Sequence, residues 1–475
     1  MTLSRRDFLA GLGAGVVTGA LPRLAGGAGN TPHVALRSAP GMQQIGPEGY
    51  PATAVWAFNG TTPGPELRFR QGSTARVRVA NGLADGTTVH WHGLRLPNAM
   101  DGVAHVTQSP IAPGADFDYA FPLPDAGTFW YHPHHASHEQ VARGLYGVLV
   151  VEEASPIEVD RDVTWVLSDW RLDETAAQVD DFGNLHDMSH AGRIGNAVAL
   201  NGVYADPEAR FEVRGGERLR LRLVNAATAR VFALRFNGHA PRVIALDGHP
   251  VMPFEAPTGQ VTLAPGQRAD LVLDCIHEPG AEFAVADDYY PRRPYDLVRI
   301  AYADEAPLRE GISRAPVALA PNPVAEPDPS RAARHEVVLA GGAMGGMASA
   351  RLDGVDTDLR DLVREHGLAW AINGTASTHD GIARLLDLPL GGHVVLALRN
   401  DSAWDHPIHL HGHAFRVLAR NGEAVPQRPW RDTVLLRRDE TAEIAFVADN
   451  PGEWMFHCHV LDHQRGGMMA TLRVG

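Results

Sequence analysis

Apolar and polar residues along this chain alternate in short runs instead of recurring every third or fourth position. ARVRVAN at 75–81, LRLRLVN at 219–225 and VVLALRN at 394–400 each place every second side chain on one face. That is the period of a strand, and such runs are separated throughout by turn signals. The pattern predicts an all-β chain of strands five to eight residues long, folded as β-sandwiches. A helical period is rare. The clearest instance is DTDLRDLVREH at 356–366, with Leu359, Leu362 and Val363 on one face.

The strand runs recur as a unit. An Asn-Gly pair appears at 59–60, 201–202 and 373–374, a turn glycine follows at Gly72, Gly216 and Gly392, and the next strand ends on Asn81, Asn225 or Asn400. Nine residues past that asparagine stand His90, Leu234 and His409; eleven past it stand His92, Phe236 and His411. In the second half of each unit, glycines 127, 280 and 452 are followed at five and seven residues by His132 and His134, Val285 and Asp287, then His457 and His459. The chain therefore divides into three tandem β-domains at 33–155, 156–325 and 330–475, and the middle copy lacks every histidine of the pattern. Residues 315–330, APVALAPNPVAEPDPS, read as a Pro-rich linker.

Composition changes this picture little. With 49 Gly and 34 Pro among 475 residues, the chain is turn-rich, as an all-β protein of about three domains should be. A net charge of −14 argues against a nucleic-acid partner. There are two cysteines, so no disulfide framework; Cys275, in LVLDCI, reads as a buried, inert thiol. Residues 4–9, SRRDFL, precede an uncharged run from Leu9 to Leu21 that is too short to span a bilayer. A twin-arginine pair before such a run marks residues 1–28 as an export signal, with cleavage expected near Gly26–Ala28 and a periplasmic mature protein that has no membrane span.

The candidate chemistry lies in HCHVLDHQRGGM, 457–468. Cys458, His463 and Met468 supply a thiolate, an imidazole and a weak axial thioether, and His406 in HPIHLH completes a His₂Cys set of the kind that holds an electron-transfer copper. His457 and His459 point to the opposite face of the strand from Cys458. They join HWH at 90–92, HPH at 132–134 and His409 with His411, giving four His-x-His pairs at matched repeat positions. Eight imidazoles suit about three metal ions. A cysteine bracketed by histidines, plus an axial methionine, is of no use to a zinc hydrolase.

With these motifs in view, the whole mature chain resembles the three-domain multicopper oxidases, among them laccases and bacterial copper-efflux oxidases. The resemblance implies three cupredoxin-like Greek-key domains and four copper ions. His406, Cys458, His463 and Met468 would hold type 1 copper, and His90 with His409 type 2. His92, His132 and His459 would hold one type 3 copper, and His134, His411 and His457 the other. It implies oxidation of a small electron donor at type 1, transfer along Cys458, and reduction of O₂ to water.

Asp101, in NAMDG, matches the family's acid beside the trinuclear site, while Gln464 stands where several bacterial relatives have a proton-delivering Glu. Asp432, in PWRDTV, matches an acid that orients a type 1 histidine and contacts donors. His135, His138 and His413 read as supporting or surface residues, and His105, His186 and His190 have no spacing partner. Copper-efflux relatives carry a Met-rich insertion early in the third domain; here that region keeps only Met344 and Met347 as candidate Cu(I)-binding residues. An edge of type 1 open to phenols and aromatic amines is expected, with a monomeric laccase-like oxidase as the leading reading. A cuprous oxidase in copper homeostasis comes second, and a copper-free scaffold is a distant third.

Overall fold

The computed structural model describes residues 23–25, 34–256 and 259–475, so the twin-arginine motif and the expected cleavage site lie outside the described residues. Three pairs of sheets follow one another along the chain. In each pair the opening strand lies parallel to the strand that carries the repeated asparagine at or near its end. Val34–Gln43 pairs with Thr74–Asn81, Arg161–Trp170 with Arg218–Asn225, and Ala333–Gly341 with Gly392–Ser402.

The repeated asparagines have a physical task. Asn81, Asn225 and Asn400 are buried. Each accepts the backbone N–H two residues ahead, from Leu83, Ala227 and Ser402, and donates to carbonyls across the sheet end, such as those of Ile111, Leu263 and Leu436. The Asn-Gly pairs do a second job. Both residues take positive φ, 53° and 82° at Asn59–Gly60 and the like at 201–202 and 373–374, as a tight hairpin turn requires. The asparagine side chain then clips the opening strand, with Asn59 accepting from Arg37, Asn201 from Val166 and Asn373 from Val338.

One continuous apolar core runs from Val34 and Leu36 in the first sandwich to Phe456, Cys458 and Leu472 in the third, whereas the middle sandwich has its own. On Arg218–Asn225 the leucines of RLRLRL fill that middle core. The alternate Arg218, Arg220 and Arg222, which the pattern would ordinarily leave in water, are buried. Arg222 donates to Asp162 and to Thr128 of the first sandwich, and Arg220 to Glu153 and Asp270. Burial opposes the Arg222 charge, but Asp162 and Asp270 more than offset it and raise its pKa.

Two local expectations change. The helix begins at Leu359, not 356, because Val355–Asp358 form a hairpin with Ser349–Leu352 around the Asp353–Gly354 turn; Asp358 caps the helix by accepting from Arg360. The 315–330 segment is fastened down rather than loose. Val317 is buried, and Asn322 exchanges hydrogen bonds with the backbone of Ala126 at 2.8 and 2.9 Å.

Candidate metal centre

Strand pairing assembles the histidines. His90 lies opposite His132 in the first sandwich, and His409 opposite His457 in the third. The two sets then meet ring to ring, with His90 stacked on His411 at 3.9 Å and His92 on His409 at 3.7 Å. All eight rings are buried. Ligand atoms fall within 4.8 Å of one another in the groups His92–His132–His459, His134–His411–His457 and His90–His92–His409.

Six of the eight rings are aimed by a hydrogen bond from one nitrogen; His134 and His459 are not. Nδ1 of His90 donates to the Asp101 carbonyl and Nδ1 of His409 to that of Asp432, both at 2.8 Å. Nδ1 of His457 donates to the Cys458 carbonyl at 2.9 Å, and Nδ1 of His132 to Pro133 at 3.1 Å. Asp101 Oδ2 accepts from His411 Nδ1 at 2.8 Å, so this carboxylate joins the first sandwich to the third. Other ring nitrogens are buried without hydrogen-bond partners: Nε2 of His90, His132 and His409, Nδ1 of His92 and His134, and both of His459. Nε2 of His457 lies 3.3 Å from that of His134 and 3.1 Å from that of His411, lone pair facing lone pair. Burial, then the neighbouring imidazoles, push His134, His411 and His457 well below the ordinary histidine range, so the rings stay neutral. Buried nitrogens without partners are costly, and cations bound among them would satisfy them. The donor set fits copper.

On the other face of the same strand, Cys458 Sγ lies 3.5 Å from His406 Nδ1 and 3.7 Å from His463 Nδ1, which are 3.1 Å apart. Ser402 Oγ sits 2.8 Å from His406 Nε2, and His463 Nε2 donates to the His190 carbonyl at 2.6 Å. The short helix Leu461–Arg465 carries His463 and returns the chain so that the Cys458 N–H donates to the Met468 carbonyl at 3.1 Å; Met468 is buried. Burial raises the Cys458 thiol well above its usual range, so it needs a bound cation to ionise.

Several expectations are corrected. Asp432 is not beside the Cys458 set and cannot meet a donor, because it is fully buried. Its Oδ1 accepts from His92 Nε2 at 3.1 Å, and Arg268 of the middle sandwich grips both oxygens at 2.9 and 2.6 Å. Burial alone would raise this carboxyl; Arg268, His92 and His409 hold it well below the usual range. Nor is the His463 edge open. It is covered by the 185–190 segment of the middle sandwich, where His190 stacks on the exposed His186 at 4.2 Å and lies 5.3 Å from Trp404. Met344 and Met347 do not share surroundings: Met344 is 78% exposed, while Met347 is partly buried against the small apolar cluster that includes Leu352 and Leu362. His413 is buried, with Nδ1 on the His411 carbonyl. Gln464 is buried and accepts from Ser137.

Sequence reasoning missed Arg268 and the His190 carbonyl. Both act across a boundary between sandwiches, and neither carries a local motif. It also denied His105 a partner, although His105 gathers with His135 and His379.

Sequence models described as multicopper oxidase match residues 41–156, 161–299 and 357–475. Among solved structures, the multi-copper oxidase of Pseudomonas thermotolerans is 35% identical, covering 93% of this chain and 99% of its own, with a TM-score of 0.80. A multicopper oxidase of Campylobacter jejuni, described as a metallo-oxidase, is 26% identical over 100% and 97% of the two chains, with a TM-score of 0.81. A bacterial laccase-like oxidase of Ochrobactrum, CueO, described as active towards lignin model compounds and lignosulfonate, is 28% identical over 96% and 99%, with a TM-score of 0.77.

Proposed function

The chain belongs to the multicopper oxidases, copper-dependent oxidoreductases that couple an electron donor to O₂, and from that premise we propose that it is a laccase-like oxidase of phenols and aromatic amines. In this reading His406, Cys458, His463 and Met468 hold one type 1 copper, His90 and His409 one type 2, and the triads His92–His132–His459 and His134–His411–His457 two type 3 ions. Copper at these positions would supply one-electron redox chemistry and the reduction of O₂ to water. The observation that carries the reading is the continuity of Cys458. Its sulfur faces one donor set, its backbone neighbours His457 and His459 belong to the other, and its carbonyl accepts directly from His457.

The remaining roles follow from contacts. Asp101, buried between His90 and His411, is the acid placed to hold and pass protons beside the site. Asp432 and Arg268 fix the orientation of His92 and His409. A flat aromatic donor suits the surface formed by His186, His190 and Trp404, from which the His190 carbonyl leads to His463. Cu(I) is the second donor, favoured by the likeness to the metallo-oxidase; the differing environments of Met344 and Met347 weigh against it. The same proposal takes 33–155, 156–325 and 330–475 as the domains, a monomer as the working form, and twin-arginine export to the periplasm as the route.

Oxygen uptake with a phenol, an aromatic diamine, Cu(I) and Fe(II), compared side by side with metal analysis, is the test. Rapid uptake with the organic donors, four coppers per chain and blue absorbance are expected. Uptake confined to Cu(I), or phenol oxidation that needs added Cu(II), would move the protein to the cuprous-oxidase reading.

A further inference from the structure

Outside the buried centre the fold gathers three more imidazoles. His105, His135 and His379 bring ligand atoms within 4.8 Å of one another, with ring centroids 5.5–6.2 Å apart. His105 and His135 belong to the first sandwich, and His379 follows the strand Trp370–Ile372 of the third. The positions are built by the backbone. His105 takes a left-handed φ of 65° and donates its N–H to the Gln108 carbonyl at 2.9 Å, while Val103 bridges His134, the residue before His135. Nδ1 of His135 and Nε2 of His379 are buried and have no hydrogen-bond partner. Burial, with His135 and His105 beside it, lowers the pKa of His379, which keeps a lone pair available at neutral pH. Asp380 Oδ1 lies 3.5 Å from His105 Nε2. Two ligands of a tetrahedral ion with bonds near 2.0–2.1 Å sit roughly 3.3 Å apart.

We infer that His105, His135, His379 and Asp380 form a further metal site, for a borderline divalent ion such as Zn(II) or Cu(II), that bridges the first and third sandwiches. Imidazoles with one carboxylate suit these ions and not Mg²⁺ or Ca²⁺. The site differs from the buried centre in its access: His105 and Asp380 are exposed, so the ion exchanges with solvent. It also sits where an ion would matter. His135 directly follows His134, and His105 comes four residues after Asp101. An ion held there fastens together the two sandwiches that enclose the eight buried histidines.

Calorimetric titration with zinc chloride of the copper-loaded enzyme, first cleared of exchangeable metal by a brief chelator wash, tests this, with His379→Ala and His105→Ala as variants outside the copper machinery. Wild type should take up one more zinc equivalent than either variant at micromolar or tighter affinity, and binding at that site should be at least about tenfold weaker in each variant. Zinc should raise the thermal midpoint of wild type and not of the variants. Blue absorbance is read in all three proteins, so a failure of the copper reading is distinguished from a failure of this one. Equal zinc uptake in all three, or none tighter than millimolar in wild type, overturns the site.

Discussion

The middle sandwich and its two neighbours share one template and differ in what the template buries. Where the outer copies oppose His90 to His132 and His409 to His457, the middle copy opposes Leu234 to Asp287 and Phe236 to Val285. Judged by repeat position, that pairing has slid two residues, which preserves the face of every side chain. Leu234, Phe236 and Val285 join the middle core, and Asp287 is satisfied by the Ala233 N–H and the Tyr295 hydroxyl. The fold therefore does not need the histidines. The outer copies carry converging, partnerless nitrogens in their place, an arrangement that costs stability until a cation sits among them.

The comparison can be broken hardest at the strand both donor sets share. Cys458→Ser should remove the blue absorbance and lower donor oxidation by at least roughly a thousandfold, while circular dichroism shows the sandwiches intact. Next is Asp101→Asn, which keeps the shape but not the charge between His90 and His411. Steady-state oxygen uptake should fall about a hundredfold at unchanged copper content; full activity would remove Asp101 from proton delivery.

A smaller effect tests the cost itself. Writing the middle copy's solution into the first, as His90→Leu with His132→Val, should abolish copper binding at those positions. The metal-free thermal midpoint should hold or rise, since each buried partnerless group costs about 1–3 kcal/mol. A midpoint several degrees lower would mean that the histidines support the fold after all. Wild type should instead recover stability on copper loading.

The least effect separates ligand from structural histidines. His249, buried in the middle copy against Asn322, has its pKa lowered to about 4, chiefly by burial. The unfolded chain takes up this proton near pH 6.5, so the full contribution is present above that pH and is lost as pH falls toward 4. The loss amounts to roughly 3 kcal/mol. Thermal midpoints measured between pH 7 and pH 4 should carry this share of the slope with or without copper, and His249→Gln should make the slope shallower by that share while the other buried imidazoles keep theirs.

What could be read from the sequence was what period-2 alternation and an exact repeat encode. The four His-x-His pairs, Cys458 between its histidines and the repeated asparagines all sit at positions that strand geometry alone assigns to a face. Contacts made between sandwiches were not legible. Arg220 and Arg222 look like the wet side of an amphipathic strand, and only the docking of a neighbour turns them into buried ion pairs. Asp432 was misplaced for the same reason, since its partner Arg268 is 164 residues away. His105, His135 and His379 are scattered in the chain and meet only in the folded protein.

The carbonyl that caps His463 comes from the one copy that supplies none of the converging histidines. If the proposed donor surface is right, substitutions in residues 185–190 would reshape what the enzyme accepts without touching any of the proposed copper-holding residues. On that reading appetite and engine are written on separate stretches of chain, and one could be retuned while the other is left alone.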